Sequence, residues 1–512
     1  MVSDCSDRSK KTKNINRNNT TMNEVSRLRS ILLLLLPILV AFLCTPYPTQ
    51  WGVYEALFVR IHPVLVGITP WSISSEDRYG FTFQDLYGRA AATTINNEND
   101  DDDDDDDNNN HTDNASKDDG RDRNERRIGG VDVDGHTAIV TGANSGIGYE
   151  IALALARLGA QVTMACRNTT KCEAAADKIR HDARFIQQQQ QKRKRNPEGG
   201  GGEDVVTTMT VDVSSLKSVQ QFCRDYQVKS RTIREEEEEE LLPLDMLFLN
   251  AGIGFPPSAT ADGTLHLSED GIETLFATNI VGHHLLYRLL EPNLLTTTRR
   301  TTPARIVSTS SAASYVTKYP YRVATDLPTL NGVKYNDPSL YPQSKLAQIL
   351  WTQELTDRLD DDAAATAIAT ADDDNDDDKD DNKHSKNTNV NAYTTDPNSI
   401  VYVNAANPGM VSTGIWKDKE NQPLQATIMK CILRWYESFM WIPEEGALTL
   451  LYLGTAVHEL QTRNIRGQYY HPQSQPMTMM HGNTNNDNQK FETKQLQIKL
   501  WNFLDELVAD FV

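Results

Sequence analysis

The chain has 512 residues and a formal net charge of −20, with 51 Lys and Arg residues against 71 Asp and Glu residues. Such an acidic chain is a poor candidate for binding nucleic acid, because the phosphate backbone must be met by clustered basic side chains. We therefore expect no nucleic-acid partner. The six cysteines show neither metal-ligand pairs nor the density of a disulfide scaffold, so we expect reduced thiols and no bound metal.

Several low-complexity runs interrupt the chain, and we interpret them as solvated disorder because they cannot bury apolar surface. They span residues 101–107, 187–191, 199–202, 235–240 and 372–381. Length alone suggests about three domains, but the remaining chain fits one large domain. We predict a single folded domain over residues 131–512, with disordered inserts near 184–204, 228–241 and 357–398.

An apolar region over residues 31–71 predicts contact with a membrane. After a basic, polar N-terminus (1–30), residues 31–44 fit a signal peptide or signal anchor, although they fall short of the ~20 residues that span a bilayer comfortably. Residues 51–71 are interrupted by charges, which favours an interfacial segment. We expect membrane attachment at the endoplasmic reticulum, or else cleavage and delivery to another organelle such as a plastid. An acidic linker, 72–130, follows.

The predicted domain opens with a strand, a glycine turn and a helix. A β-branched apolar run ends at Thr141, and residues 151–158 continue as an Ala- and Leu-rich helix. Glycines between them allow a tight turn, close approach of a pyrophosphate and close helix-to-sheet packing, with the phosphates at the helix N-terminus. The pattern predicts a dinucleotide site formed by Gly142, Asn144, Ser145, Gly146, Ile147 and Gly148.

The residue after the second predicted strand, 161–166, bears on which dinucleotide binds. Arg167 stands where an NAD-preferring enzyme usually has a carboxylate that binds the ribose 2′-hydroxyl. A guanidinium can instead pair with a 2′-phosphate through two hydrogen bonds. We therefore predict NADP(H) as the preferred cofactor, against the alternative that Arg167 is a solvated residue at a strand end.

The spacing Thr-Gly-x-x-x-Gly-Ile-Gly at residues 141–148 resembles the short-chain dehydrogenase/reductase family. Together with Ala-Cys-Arg-Asn at 165–168, it is most similar to the retinol dehydrogenase-like branch. The resemblance covers residues 133–510 apart from the inserts. It implies an α/β fold with a doubly wound parallel sheet (Rossmann fold). It also implies an enzyme that interconverts an alcohol and a carbonyl. It also implies cofactor contacts after later strands, at Asp212, Val213, Asn250, Ala251 and Gly252.

Tyr341 and Lys345 form the decisive motif, because residues four apart lie on one face of a helix about 6 Å from each other. A tyrosine titrates near pH ~10, and a nearby ammonium lowers that pKa by favouring the phenolate. We predict that Tyr341 protonates the carbonyl oxygen as hydride arrives from NADPH, or deprotonates the alcohol in reverse. Lys345 is also expected to hydrogen-bond the nicotinamide ribose.

The resemblance adds two members to this set. Asn279, in a predicted helix over 269–290, would hold a water in a proton relay, whereas the residue by itself indicates only a hydrogen-bonded core amide. A serine at the carboxyl end of the fifth strand would hydrogen-bond the reacting oxygen. Register against the family pattern favours Ser311, with Ser310 as the alternative.

The last predicted strand, 399–405, leads into a segment similar to the family's Pro-Gly-x-Val-x-Thr pattern. This implies that Pro408, Gly409 and Thr413 hold the nicotinamide carboxamide. Residues 416–441 then concentrate apolar and aromatic side chains. We predict a lid over a small lipophilic alcohol or carbonyl, with an amphipathic helix packed on the core as the alternative.

Three functions stay open at this level. The first is a retinol dehydrogenase-like reductase that acts on a retinoid, steroid or fatty aldehyde, and the second is a family member with another substrate, such as a pigment. The third is a catalytically idle NADP-binding scaffold that recruits partners through its acidic inserts. The presence of both Tyr341 and Lys345 argues against the scaffold. A homodimer is also left open.

Overall fold

The structure is a computed structural model that describes residues 133–193, 205–229, 231–233, 239–241, 243–254, 264–296, 303–316, 323–335, 337–373, 401–409, 411, 441–477 and 487–512. All of them lie in one compact unit, Gly67–Val512. The predicted apolar region, the acidic linker and nearly all of residues 416–441 lie outside the described residues. Among the described helices, none is long and apolar enough to cross a membrane.

A parallel sheet forms the centre of the fold. The strands are β1 (Thr137–Thr141), β2 (Gln161–Cys166), β3 (Val206–Thr210), β4 (Arg231–Ile233), β5 (Glu239–Leu241), β6 (Met246–Leu249), β7 (Arg305–Thr309), β8 (Tyr402–Ala406), β9 (Tyr469–His471) and β10 (Gln475–Met477). Eight of them form one sheet in the order β10-β9-β8-β7-β6-β1-β2-β3, and β4 pairs with β5. Within the large sheet only β10 runs antiparallel to its neighbour.

The helices alternate with these strands along the chain. They are α1 (Gly146–Arg157), α2 (Thr169–Arg193), α3 (Leu216–Lys229), α4 (Thr274–Phe276), α5 (Gly282–Leu295), α6 (Leu327–Asn331), α7 (Leu340–Asp373), α8 (Pro443–Thr455), α9 (Val457–Thr462) and α10 (Asp487–Val508). A π-helix, Ala277–Val281, joins α4 to α5. This segment is one of the elements that position the candidate site.

Apolar side chains from alternate strand positions cover both faces of the sheet. Ile139 in β1 packs in one hydrophobic cluster with residues of α3, α5, α7 and α10. Its neighbours Ala138 and Val140 pack in a second cluster with residues of α1, α2 and α8. Because successive side chains of a strand point to opposite faces, helices cover both sides of the sheet. The predicted doubly wound α/β fold is confirmed.

The strand order reverses at β1, which has β2 on one side and β6 on the other. Open α/β sheets bind ligands beyond the carboxyl ends of the strands at such a switch point. The candidate residues follow these strand ends in turn, with Gly142 after β1, Arg167 after β2, Asn250 after β6, Ser310 after β7 and Asn407 after β8. The topology therefore brings segments that are far apart in the chain to one edge.

Two helices extend into runs that the composition predicted to be irregular. Helix α2 continues through residues 187–191 to Arg193, and α7 continues to Asp373. Glu239 and Glu240 lie in strand β5. Gln and Ala are good helix formers, and extending a helix whose first turns are packed requires no new nucleation. Residues 194–204, 230, 234–238 and 374–398 of the three inserts lie outside the described residues.

The expectation of reduced thiols is wrong for one pair of cysteines. Cys166, the last residue of β2, and Cys172, near the start of α2, form a disulfide with their Cα atoms 6.0 Å apart. Cys223 is a free buried thiol, and burial raises its pKa. The pairing was not predictable from spacing alone, because it depends on how sharply the chain turns between strand and helix. No metal-ligand cluster occurs among the described residues.

Candidate active site

The hydroxyl of Thr141 fixes the turn at the end of β1. Its Oγ1 accepts hydrogen bonds from the backbone N–H groups of Asn250 and Ala251, both at 2.9 Å. The side-chain Nδ2 of Asn250 in turn donates to the carbonyl of Thr141 at 3.0 Å. These three contacts tie the end of β1 to the Asn-Ala-Gly loop after β6, at the switch point of the sheet.

The glycines of the turn are required by backbone geometry. Gly142 and Gly146 have left-handed φ angles of +68° and +57°, which side-chain-bearing residues rarely adopt. A Cβ on Gly148 would lie 2.5 Å from Asn250 Nδ2 and 2.6 Å from the carbonyl oxygen of Gly142. No other residue fits there without displacing the loop after β6.

Helix α1 starts at Gly146, and its N-cap residue Ser145 makes no side-chain capping hydrogen bond. The first N–H groups of a helix have no partner within the helix, and they favour a bound anion. Asn144 and Ser145 lie in the turn before the helix, and Ile147 packs against the core beneath it. The glycine turn therefore leads directly into the N-terminus of α1, and phosphate binding there stays a prediction.

The side chain of Arg167 lies just beyond β2 and is 76% exposed. Its Nη1 is 4.0 Å from Oδ2 of Asp212, in the loop that follows β3. Oδ1 of Asp212 accepts hydrogen bonds from Ser214, at 3.0 Å from N and 2.6 Å from Oγ. Such a long, exposed ion pair is weak, so the guanidinium can turn to another anion.

Val213 and Gly252 pack tightly against the helix that carries Asn279. A Cβ on Gly282, the first residue of α5, would lie 1.8 Å from the carbonyl oxygen of Val213. A Cβ on Gly252 would lie 3.0 Å from Asn279 Oδ1 and 3.5 Å from Lys345 Nζ. The loops after β3 and β6 thus approach the catalytic candidates as closely as their backbones allow.

Asn279 is fully buried in the π-helix between α4 and α5. Its Oδ1 accepts from the backbone N–H of Ile253 at 2.9 Å. Its Nδ2 donates to the carbonyl of Ile253 at 3.1 Å and to Ser344 Oγ at 2.9 Å. Its backbone carbonyl accepts from Gln348 Nε2 at 2.8 Å and from His283 Nδ1 at 3.2 Å. The amide therefore anchors the loop after β6, and the carbonyl is directed to side chains around Lys345.

Ser310 and Ser311 have different partners. Ser310 Oγ is buried and donates to the backbone carbonyl of Lys345 at 2.7 Å. The hydroxyl of Ser311 lies close enough to the phenol of Tyr341 to lower the pKa of the phenol, and it accepts from the N–H of Ala313 at 3.2 Å. Of the two serines, Ser311 is the one beside the phenol.

Tyr341 and Lys345 lie on the first two turns of α7, with Nζ 5.7 Å from the centre of the phenol ring. Nζ is buried and donates to the Thr309 carbonyl at 2.8 Å and to Gln348 Oε1 at 3.0 Å. Burial lowers the pKa of Lys345 to about 7, because an ammonium loses solvation in the interior.

The predicted lowering of the Tyr341 pKa is wrong in this structure. Burial raises the pKa of the phenol, and the hydrogen bond from Ser311 only partly opposes that effect. Desolvation disfavours the phenolate, and the ammonium of Lys345 is directed to two carbonyl oxygens and not to the phenol. Spacing along the helix could predict the proximity of the two side chains but not the direction of the ammonium.

The segment after β8 turns sharply at Pro408 and Gly409. Gly409 has a φ of +83°, and a Cβ there would lie 2.6 Å from Cδ1 of Trp441. Asn407 Oδ1 accepts from the N–H of Gly409 at 3.0 Å, while its buried Nδ2 has no hydrogen-bond partner among the described residues. Val411 pairs with Trp441. Thr413 and the rest of the predicted lid lie outside the described residues.

Three polar residues in this region were missed by the sequence analysis. They are Thr141, His283 and Gln348, all buried and hydrogen-bonded to the predicted set. Their only signal in the sequence is a polar side chain at a position that the strand or helix pattern assigns to the core.

Comparison with known proteins agrees with this architecture. The model of the short chain dehydrogenase family matches residues 136–324. Retinol dehydrogenase 14 of Mus musculus is 32% identical over 351 residues, which cover 68% of this chain and 82% of that protein. Retinol dehydrogenase 13 of Homo sapiens is 37% identical over 229 residues, 44% of this chain. In that case the chain spans about half the length of the relative, 55%.

The fold and the strand-end residues define an α/β protein with a nicotinamide-cofactor type of site. The chain belongs to the short-chain dehydrogenase/reductase family, in its retinol dehydrogenase-like branch. Among solved structures, a 3-ketoacyl-(acyl-carrier-protein) reductase from Brucella melitensis complexed with NADH covers 66% of this chain and 96% of its own, with 17% identity and a TM-score of 0.38. At that level of similarity it adds nothing to the family assignment.

Proposed function

We propose that this protein is an NADP(H)-dependent oxidoreductase that interconverts an alcohol and a carbonyl. The observation that carries this proposal is the approach of the Ser311 hydroxyl and the buried Lys345 ammonium to the phenol of Tyr341, at the edge of the sheet where the glycine turn lies. A phenol, a hydroxyl and an ammonium at one crevice are the groups that a proton transfer to a carbonyl oxygen needs.

The residues at the switch point fit a dinucleotide. The uncapped start of α1 can receive the pyrophosphate, and Gly148 lets this helix pack closely against the loop after β6. The family resemblance implies that Asp212 and Val213 border the adenine side, and that Pro408 and Gly409 border the nicotinamide side. A bound nicotinamide supplies or accepts the hydride. The chain's own residues orient the substrate and move the proton.

In the reduction, Tyr341 donates its phenolic proton to the carbonyl oxygen while the carbonyl carbon receives hydride. In the oxidation it takes the proton from the alcohol. Ser311 donates to the reacting oxygen and so fixes its position between the two hydroxyls. Lys345, charged in its protonated form, favours the phenolate and thereby the loss of the phenolic proton. The raised pKa of Tyr341 favours the protonated phenol, which is the form that reduction uses.

The exposed guanidinium of Arg167 supports a preference for NADP(H). It lies after β2 and has only one weak ion pair, with Asp212, among the described residues. A 2′-phosphate offers it a charge-assisted contact that a 2′-hydroxyl does not. The family as a whole uses nicotinamide cofactors, so the proposal about Arg167 concerns only whether NADP(H) or NAD(H) is preferred.

A lipophilic substrate is the best match to the chain's apolar segments. Two relatives are named retinol dehydrogenases, and residues 416–441 are rich in apolar and aromatic side chains. Residues 31–44 support attachment to a membrane, where such a substrate would dissolve. We propose that the protein is located at the endoplasmic reticulum, with a plastid as the alternative location. A homodimer is also part of this proposal.

NADPH consumption by the purified full-length chain tests the proposal. The assay offers retinoid, steroid, fatty and pigment carbonyls in turn, and we expect turnover with at least one of them. The Lys345→Met variant should lose that turnover. If NADPH binds but no carbonyl is reduced, and no alcohol oxidised with NADP⁺, the idle scaffold becomes the better description.

A further inference from the structure

A buried glutamine lies between the lysine of the site and the backbone of Asn279. Gln348 stands three residues after Lys345 on α7 and is fully buried. Its Oε1 accepts from Lys345 Nζ at 3.0 Å, and its Nε2 donates to the carbonyl of Asn279 at 2.8 Å. One side-chain amide therefore joins the ammonium to the π-helix.

The orientation of this amide follows from its partners. An ammonium only donates hydrogen bonds and a carbonyl only accepts them. With Oε1 and Nε2 exchanged, the NH₂ group would face the ammonium of Lys345 and the oxygen would face the carbonyl of Asn279. Both contacts would be repulsive, so only the observed orientation satisfies both neighbours.

The carbonyl of Asn279 has no further capacity once this link is made. A carbonyl oxygen has two lone pairs, and those of Asn279 are taken by Gln348 and by Nδ1 of His283. The family resemblance implied that Asn279 holds a water in a proton relay. In this chain the amide of Gln348 makes the connection, and an amide does not gain or lose protons near neutral pH.

The same chain of contacts continues to the glycine turn. His283 is buried and its Nε2 lies 3.2 Å from Thr141 Oγ1. Burial lowers the pKa of His283 to about 3, so the ring is neutral. Nδ1 must then carry the proton that it donates to Asn279, and Nε2 is an acceptor for the hydroxyl of Thr141, whose one proton it shares with the carbonyl of Phe248 at 3.2 Å. Hydrogen bonds thus run from Lys345 to the end of β1.

A neutral acceptor suits the charge that Lys345 must carry. A buried ammonium without acceptors is strongly disfavoured, while a carboxylate acceptor would cancel its field at the phenol. No ion pair of Lys345 occurs among the described residues, and the titratable groups that face it are Tyr341 from its own helix and His283 from α5. Thr309 and Gln348 together supply two acceptors and no charge.

We infer that Gln348 is a positioning residue, which holds the Lys345 ammonium in place through the Asn279 carbonyl and leaves its third N–H for the cofactor. This inference rests on the function proposed above. Gln348 itself touches no reacting atom, so its effect should be found in the titration of the site and in kcat, while NADPH binding stays nearly unchanged.

The test compares the full-length wild-type protein with Gln348→Met, which keeps the side-chain length but removes the amide. Gln497→Met is the matched control. Gln497, on α10, is also buried, and its Nε2 donates a 2.6 Å hydrogen bond to Oε1 of Gln353 on α7. We expect kcat of Gln348→Met to fall about 10- to 100-fold, as expected for losing a hydrogen bond to a charged group. The dissociation constant for NADPH should change less than about 3-fold, because Gln348 does not contact the cofactor site directly.

A second measurement needs no activity. The pKa of Lys345, followed by NMR of its ¹³Cε in the protein without cofactor, should fall in Gln348→Met, because the charged form loses an acceptor. It should rise in Gln348→Glu, where a carboxylate faces the ammonium. The pH at which kcat of alcohol oxidation begins to rise should be higher in both variants than in the wild type. Both substitutions reduce the positive field at Tyr341, and a weaker field makes the phenolate harder to form.

An unchanged Lys345 pKa in both variants, or a loss of kcat in Gln497→Met as large as in Gln348→Met, would overturn the inference. Failure of the proposed function has a different signature. In that case the wild-type protein itself turns over no carbonyl or alcohol, while the NMR titration still decides whether Gln348 controls Lys345.

Discussion

The hydroxyl of Ser310 donates a 2.7 Å hydrogen bond to the backbone carbonyl of Lys345. This contact joins the carboxyl end of β7 to the second turn of α7 and fixes the spacing between them. The next serine, Ser311, meets the phenol of Tyr341 instead. The two adjacent serines therefore have different roles. Ser310 connects β7 to α7, and Ser311 lies beside the candidate reacting phenol of Tyr341.

This division predicts different effects for the two alanine variants. Ser311→Ala should lower kcat/KM by about 100-fold, because the reacting oxygen loses a donor, while the unfolding temperature stays close to that of the wild type. Ser310→Ala should cost about 0.5–1.5 kcal/mol of stability, because one buried hydrogen bond between β7 and α7 is lost. Steady-state kinetics and thermal unfolding of both variants test this, and the reverse assignment of the two effects would contradict it.

The exposed position of Arg167 predicts a change of cofactor preference. Arg167→Asp should weaken NADPH binding by at least ~30-fold, because it replaces a charge-assisted contact by repulsion of the 2′-phosphate. NADH, which lacks that phosphate, should be affected far less. Arg463→Asp is a matched control, since Arg463 is exposed and, in the part of the chain that the structure describes, its guanidinium forms a salt bridge with Glu459 of α9. Equal losses for both cofactors in Arg167→Asp would discredit the assignment.

The bond between Cys166 and Cys172 predicts a redox-dependent stability. Closing a loop of this length should stabilise the folded protein by about 2 kcal/mol. A reductant should therefore lower the free energy of unfolding of the wild type but not of a Cys166→Ser/Cys172→Ser double variant. Alkylation of the denatured, unreduced protein offers a direct check. Labelling of both thiols would show that the bond is absent.

The lowered pKa of Lys345 predicts a pH-dependent stability. Its pKa is about 7 in the folded protein and 10.5 in an ordinary environment. Between these values the unfolded state binds more protons, so stability should rise with pH. Relative to Lys345→Met, the free energy of unfolding of the wild type should increase by about 2 kcal/mol from pH 7 to 9. A flat difference would mean that the lysine stays charged in the folded state.

The sequence predicted the frame of the fold because its signals are local and periodic. The apolar run ending at Thr141, the glycine turn and the helix after it form one uninterrupted pattern, and the structure has β1 and α1 there. The resemblance to a family extended this frame to the later strands. Spacing on one helix was also enough to expect Tyr341 and Lys345 near each other.

Other features depend on contacts between distant segments, and no local pattern encodes them. Ser310 and Ser311 are chemically identical, so only their partners distinguish them. In the sequence, Gln348 is only a polar residue within an apolar helix. Its role becomes visible in the structure, where its Nε2 donates to the carbonyl of Asn279 in the π-helix. The disulfide between Cys166 and Cys172 likewise follows from the geometry of a turn.

The central claim is that the phenol of Tyr341 moves the proton in the reaction, and one comparison tests it most directly. Tyr341→Phe removes that hydroxyl, and Tyr287→Phe is its control, because Tyr287 is also buried and its hydroxyl bonds Glu291 at 2.5 Å. In a single-turnover assay with bound NADPH and an active carbonyl, we predict near-complete loss of reduction in Tyr341→Phe with NADPH affinity retained, and normal rates in Tyr287→Phe. Reduction by Tyr341→Phe at a rate near that of the wild type would contradict the account.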